Sequence, residues 1–309
     1  TPTVSKLPYL TAREVGLDIN PESWVYFCPS VGSYVGGDIT AGILCTDMVD
    51  PDPGEGSLGL SLVIDIGTNG ELVVGNRDFL MTSACSAGPA FEGGGIECGM
   101  RAALGAIERV RVEHATGVSE LWTVGDARPK GICGSGMICL LSELYMKGWM
   151  DGQGRLERDR PSPSIEIEGR RARYILASPG ESDAGKSLYI TETDIDNIIR
   201  AKAAIYSACS TMLDKLGLDF DGLERLYIAG GFGRFLDIGR AITLGLLPDL
   251  PREKFTYLGN SSLTGAYMVL VSRDFKERME EAAARMTYID LGSEPGYTAR
   301  YTAPLLIPH

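Results

Sequence analysis

A nearly continuous apolar run, LSLVIDIG over 60–67, ends in Gly67 and predicts a strand buried on both faces. ELVVG (71–75) and RDFLMTSA (77–84) follow at once, so the pattern predicts a β-hairpin or meander with Asn69-Gly70 at its tip. Upstream, WVYFC (24–28) reads as a strand, and Asp38 is expected to cap a short helix over DITAGILCTDM (38–48). The breakers DPDPGEGSLG (50–59) predict a linker between the two. Downstream, the Gly-rich loop SAGPAFEGGGIECG (86–99) is expected to enter a helix near Met100, followed by a polar strand region around 108–124. GICGSG (131–136) then opens an apolar helix ending near Lys147-Gly148, and the polar stretch 151–187 predicts a surface hairpin insertion. Thr191 or Thr193 caps a long amphipathic helix with Ile195, Ile198, Ile199, Ala203, Cys209, Met212 and Leu213 inward. A strand RLYIA (225–229) runs into Gly230-Gly231-Phe232-Gly233. A helix FLDIGRAITLG, a strand FTYLG, a last long helix from about Ser262 and a strand from Thr287 complete the order. Strands and helices interleaved in this way predict an α/β fold.

Composition narrows the function classes. With 44% hydrophobic and 23% charged residues, the 309-residue chain reads as a soluble globular protein of one large or two medium domains. No apolar run approaches the roughly 20 residues needed to cross a bilayer, and TPTVSKLPYL lacks the marks of a signal peptide, so a cytoplasmic fragment without membrane contact is expected. A net charge of −12 argues against nucleic acid as a partner. It leaves ATP open, because nucleotide sites rely on backbone N–H groups and a metal. Only His114 and His309 are present, which disfavours a His metal centre or a Ser-His-Asp triad. Cys28, Cys45, Cys85, Cys98, Cys133, Cys139 and Cys209 form no CxxC pair and no ferredoxin-type run, and read as buried thiols in a reducing compartment.

Three stretches could carry chemistry. In Asp65-Ile66-Gly67-Thr68-Asn69-Gly70-Glu71, a carboxylate at the end of a buried strand precedes a tight turn. Backbone N–H groups and small hydroxyls there can surround a phosphate, and Asp65 can hold Mg²⁺ through water. In Gly230-Gly231-Phe232-Gly233, glycines at a strand end let a ligand approach the backbone closely. In GICGSG, Gly134 and Ser135 open a helix whose free N–H groups favour an anion. Each also admits a structural reading as a hairpin turn, a βα turn or close helix packing. There is no GxxxxGK[ST] and no GxGxxG directly after a strand, which removes the P-loop and dinucleotide alternatives.

Taken in order, these stretches resemble the actin, sugar-kinase and heat-shock ATPases, the ASKHA superfamily of paired ribonuclease H-like lobes. LVIDIGTNGELVVG is similar to their second phosphate hairpin, SAGPAFEGGGI to the loop that follows it, and LYIAGGFG to their adenosine motif. Asp38–Met48 is similar to the first connecting helix, and GNSSLTGAYMVL to the second, with Gly265 at the lobe contact. More narrowly, SYVGGDITAGIL, DIGTNGE, CSAGPAFEGGGI, GICGSG and AGGFG-LD resemble the reductive activators of corrinoid proteins.

That resemblance implies ATP hydrolysis coupled to reduction of cobalt(II) corrinoid to cobalt(I), with a corrinoid protein as partner and a homodimer as assembly. It implies Asp65 as the catalytic and Mg²⁺-linked carboxylate, and Gly67, Thr68, Asn69 and Gly70 as phosphate donors. Gly230, Gly231 and Gly233 would border the adenosine; Glu71, Gly134 and Ser135 join the cofactor-binding candidates, the role of Glu71 being open. Residues 57–261 would form the second lobe with an insertion around 151–187. Residues 1–56 and 262–309 would be the connecting helices and a remnant of an incomplete first lobe. A 2Fe–2S cluster is expected only in an N-terminal domain that this chain lacks. A small-molecule kinase on the same fold, or a non-catalytic nucleotide-binding regulatory module, stands as the alternative.

Overall fold

The computed structural model describes residues 7–32, 34–50, 59–231 and 236–308. At its centre lies a six-stranded sheet in the order Phe255–Gly259, Leu223–Ala229, Leu60–Ile66, Gly70–Gly75, Leu80–Cys85, Met286–Tyr288. Leu60–Ile66, Gly70–Gly75 and Leu80–Cys85 form an antiparallel meander, and Leu223–Ala229 and Phe255–Gly259 continue it as parallel neighbours. Ala229 pairs with both Asp65 and Gly259, so three parallel strands end at the same edge.

The apolar run is buried twice over because both faces are covered. Leu62, Ile64, Ile66, Leu72 and Val74 face the larger core cluster, while Val63 and Val73 face a second one, as the period of two requires. The first face packs against Glu192–Lys215. Thr191 caps that helix with Asp194 in a reciprocal capping box, which settles the cap in favour of Thr191 over Thr193. The second face is covered by helices Gly37–Gly42, Ser261–Val271 and Arg273–Arg285. The first two of these cross so closely that a Cβ on Gly265 would lie 1.9 Å from the Ala41 carbonyl oxygen. Gly265 therefore has to be glycine.

Several expectations shift. No helix starts at Met100: its amide donates to the Ile132 carbonyl at 2.9 Å, and the chain goes on into the strand Ala106–Val112. That strand sits between Ser119–Thr123 and Gly131–Ile132, so long-range pairing overrides local helix propensity. The last long helix is two, because Ser272 is extended (φ −142°, ψ 126°) between Val271 and Arg273. The first connecting helix covers only Gly37–Gly42 and is entered from Gly36, with Asp38 inside its first turn. Of WVYFC only Trp24–Val25 pairs, with Leu10–Thr11. The stretch 151–187 is not a surface hairpin: its strands Ile165–Glu168 and Arg171–Ala177 join Leu188–Thr191 in a three-stranded sheet, and Ala172, Tyr174 and Leu176 are buried in the main core. No helix among the described residues is long and apolar enough to cross a membrane.

Candidate functional site

The site lies at the sheet edge where the parallel strands end, the edge that open α/β sheets use for ligands. Ile64 and Ile66 point into the larger core, so Asp65 between them faces the connecting helices. Glu71 is its register partner on the neighbouring strand and shares that face. Asp38 approaches from the helix Gly37–Gly42, and its carboxylate accepts from the amide of Ile39 at 2.9 Å. Burial pushes the Asp65 carboxyl up to about 6, with Asp38 adding to the rise. Burial, then Asp38 and Asp65, push Glu71 up to about 7 against the lowering hydrogen bond from Asn69. Three acids thus converge, two of them held above their ordinary range by lost hydration and like charge. Among the described residues no ion pair neutralises them.

The turn between Asp65 and Glu71 is closed by the Gly67 amide donating to the Asn69 carbonyl at 3.0 Å. The Thr68 hydroxyl donates to Glu92 Oε2 at 2.5 Å. Beside this turn stands the end of Leu223–Ala229. Gly230 has φ +107°, and a Cβ there would lie 2.3 Å from the Ile66 carbonyl oxygen and 3.1 Å from Asp65 Oδ1. The two motifs, about 165 residues apart in sequence, therefore touch backbone to backbone. Gly231 faces open space, and so does Gly67 apart from one ordinary contact at 3.9 Å. Gly70 differs, because a side chain there would meet Cys85 Sγ at 2.6 Å and Ile205 at 3.1 Å. Gly233 lies outside the described residues.

Gly134 and Ser135 are buried at the start of Gly134–Met146, where Cys133 provides no side-chain cap and its sulfur lies 3.3 Å from Ser135 Oγ. That helix packs on the strand Ala106–Val112 and against the turn Pro89–Glu92. Two residues of the site were not singled out from sequence. Asp38 was read only as a helix cap, and its signal was the Gly-Gly-Asp entry to a connecting helix. Glu92 sits inside the Gly-rich loop, where nothing local marks it.

The donor set at this edge is hard carboxylate oxygen, which suits Mg²⁺. Among the described residues no group of three or more His, Cys, Asp or Glu is set to hold a metal directly. A cation held through water beside Asp65 fits these donors and relieves the crowded negative charge. Cys85 and Cys209 are unsuited to nucleophilic work: burial pushes Cys85 up to about 12 and raises Cys209 well above its ordinary value.

An antiparallel meander extended by parallel strands, covered by crossing helices and carrying an acid and a Gly-Gly turn at one edge, defines the ASKHA class. Family models place the chain within that class. Residues 59–309 match the C-terminal domain of RACo, the ASKHA domain, and residues 1–50 match the RACo middle region. The chain belongs to this RACo ASKHA family. It is 32% identical over 299 residues to the corrinoid activation enzyme RamQ of Eubacterium limosum, covering 94% of this chain and 49% of that protein. It is 27% identical over 285 residues to the [Co(II) methylated amine-specific corrinoid protein] reductase of Methanosarcina barkeri, covering 84% and 46%. A solved reductive activator for corrinoid, iron–sulfur protein superposes with a TM-score of 0.93 at 46% identity, over all of this chain and 48% of the other. The chain thus spans about half the length of the relatives it matches.

Proposed function

We propose that this chain is the ATPase part of a reductive activator, coupling ATP hydrolysis to the reduction of a corrinoid protein from cobalt(II) to cobalt(I). The observation that carries this reading is the contact of Gly230 with Asp65 and Ile66, which joins the phosphate turn and the Gly-Gly turn into one ligand edge. Relatives named for corrinoid activation and reduction supply the reaction class.

On this reading Gly67, Thr68, Asn69 and Gly70 form the phosphate turn, and Asp65 holds Mg²⁺ through water and orients the attacking water. Gly230, Gly231 and Gly233 border the adenosine. Glu71 and Asp38 add carboxylates on the same face, and Gly134 and Ser135 brace the loop behind. Mg²⁺ supplies charge neutralisation at the phosphates; the protein supplies positioning and fixed dipoles. Hydrolysis would drive a hinge movement at the crossing helices, altering the contact with the corrinoid partner. ATP is needed because cobalt(I) formation is uphill from ordinary donors, at about 1.4 kcal/mol for each ~59 mV of a one-electron gap. Residues 57–261 act as the second lobe. Residues 1–56 and 262–309 supply the connecting helices and part of the first, with Met286–Tyr288 reaching back to the second lobe's sheet. The electrons would come from a 2Fe–2S domain distinct from these residues, and the working assembly would be a cytoplasmic homodimer.

Calorimetric titration of MgATP and MgADP is the first test, followed by cobalt(I) absorbance with a corrinoid protein, reductant and ATP. Micromolar binding that Asp65→Ala abolishes supports the reading. Absence of binding in the chain and in its full-length protein would sink it in favour of a regulatory module. Phosphoryl transfer to a small acceptor would turn it toward a kinase.

A further inference from the structure

The Gly-rich loop 86–99 is tied to the phosphate turn by the hydrogen bond from Thr68 Oγ1 to Glu92 Oε2 at 2.5 Å. Glu92 is not placed there by a mobile chain. It follows Ala90 and Phe91, buried at 4% and 2% exposure, and closes the short turn Pro89–Glu92. Gly93 behind it has φ +89°, and a Cβ there would lie 2.4 Å from the Met100 amide nitrogen. The loop is therefore pinned by backbone contact on one side and by the core on the other. Among the described residues its ion pair, Arg101 to Glu92 Oε1 at 3.4 Å, uses an Arg that is 80% exposed and offsets little of the charge.

A carboxylate only accepts hydrogen bonds, so the Thr68 hydroxyl must spend its single proton on Glu92. What remains toward the cleft is the oxygen's lone pairs. We propose that Glu92 is a positioning and specificity-determining residue of the nucleotide site. By holding the Thr68 proton, it makes Thr68 an acceptor toward water or a cation instead of a donor to phosphate, and its own charge penalises a bare polyphosphate. The turn then selects nucleotide complexed with a divalent cation. This rests on the nucleotide reading above and deepens it by naming the form of the ligand.

The test is calorimetry of MgADP and of ADP in EDTA against the 309-residue chain and its Glu92→Gln, Glu92→Ala and Thr68→Ser variants, each checked by thermal melt. The wild type and Thr68→Ser should prefer MgADP by the same ratio. Glu92→Gln should bind metal-free ADP at least threefold more tightly than wild type, so that the ratio narrows. If Glu92→Ala melts early, Glu92→Gln carries the comparison, since its amide oxygen can still accept from Thr68. An unchanged ratio in Glu92→Gln, with normal MgADP binding by the wild type, overturns the role of Glu92 alone. Failure of both the 309-residue wild type and its full-length protein to bind either form overturns the nucleotide reading and this one with it.

Discussion

The turns at Gly67–Gly70 and Gly131–Gly136 look alike in sequence, yet their glycines answer to different demands. In the second, a Cβ on Gly136 would lie 2.1 Å from the Ile107 carbonyl oxygen, and one on Gly131 would lie 2.6 Å from that of Cys98. Gly136 lets a helix lie on a strand, and Gly131 lets the strand Gly131–Ile132 lie against the loop at Cys98. In the first, Gly67 has neither a positive φ nor a close neighbour, and Gly231 across the strand gap has none either. Nothing among the described residues demands glycine at either place. The difference teaches a usable distinction: Gly131 and Gly136 are required by packing, whereas Gly67 and Gly231 have space beside them that, on the function proposed above, leaves room for a ligand.

The largest expected effect falls on the packed glycines. Gly136→Ala and Gly265→Ala should each cost about 3 kcal/mol or more of stability by overpacking against backbone, read as a lower midpoint in chemical denaturation. Wild-type stability in either variant would break the distinction.

Asp65→Asn works the other way. It should weaken MgADP binding at least tenfold, a loss of about 1.4 kcal/mol, while leaving the melting temperature equal or higher. The stability gain is expected because a half-buried charge facing like charges disappears. Loss of both binding and stability would show Asp65 to be a structural residue.

The pH dependence of stability sharpens the picture further. Glu71 titrates near 7 in the folded chain and near its ordinary value when unfolded, so the native state holds more protons between about 4 and 7. Stability contributed by this group is present at the acid end and falls as pH rises through that window, by on the order of 2 kcal/mol. Glu71→Gln should flatten that part of the profile. Lys202 has the opposite slope. It is 0% exposed, its Nζ donates to the Leu306 carbonyl at 2.6 Å, and burial lowers it to about 7. Between about 7 and 10 the unfolded chain holds the extra proton, so stability should rise there, and Lys202→Met should remove that rise. Denaturant midpoints across pH 4–10 read both slopes.

The smallest effect is expected at the open glycines. Gly67→Ala and Gly231→Ala should change stability by under about 0.5 kcal/mol, the range of ordinary surface substitutions, while weakening nucleotide binding severalfold.

Much of this molecule was legible from its residues. The nearly continuous apolar run LSLVIDIG and the ELVVG that follows it set the meander, Thr191 or Thr193 marked the start of the long helix, and Gly230-Gly231 marked a strand end. These are signals of one segment acting on itself, carried by side-chain period and capping chemistry. Met100 was misjudged because its amide is claimed by Ile132, a partner that local propensity does not register. The split of the last helix at Ser272 escaped for the same kind of reason.

The chemistry of the site divides along the same line. By itself the sequence determined that Asp65 ends a buried strand, that a tight turn follows it, and that an interleaved order of strands and helices surrounds both. Only the tertiary structure decided that Asp38 and Glu71 crowd Asp65 and that Gly230 lies against Ile66. It alone set Glu92 on the hydroxyl of Thr68 and assigned Gly70 to packing. Periodicity acts over a few residues, whereas these contacts join segments brought together by sheet register and helix crossing, and no local pattern encodes which carboxylates will share one poorly hydrated corner.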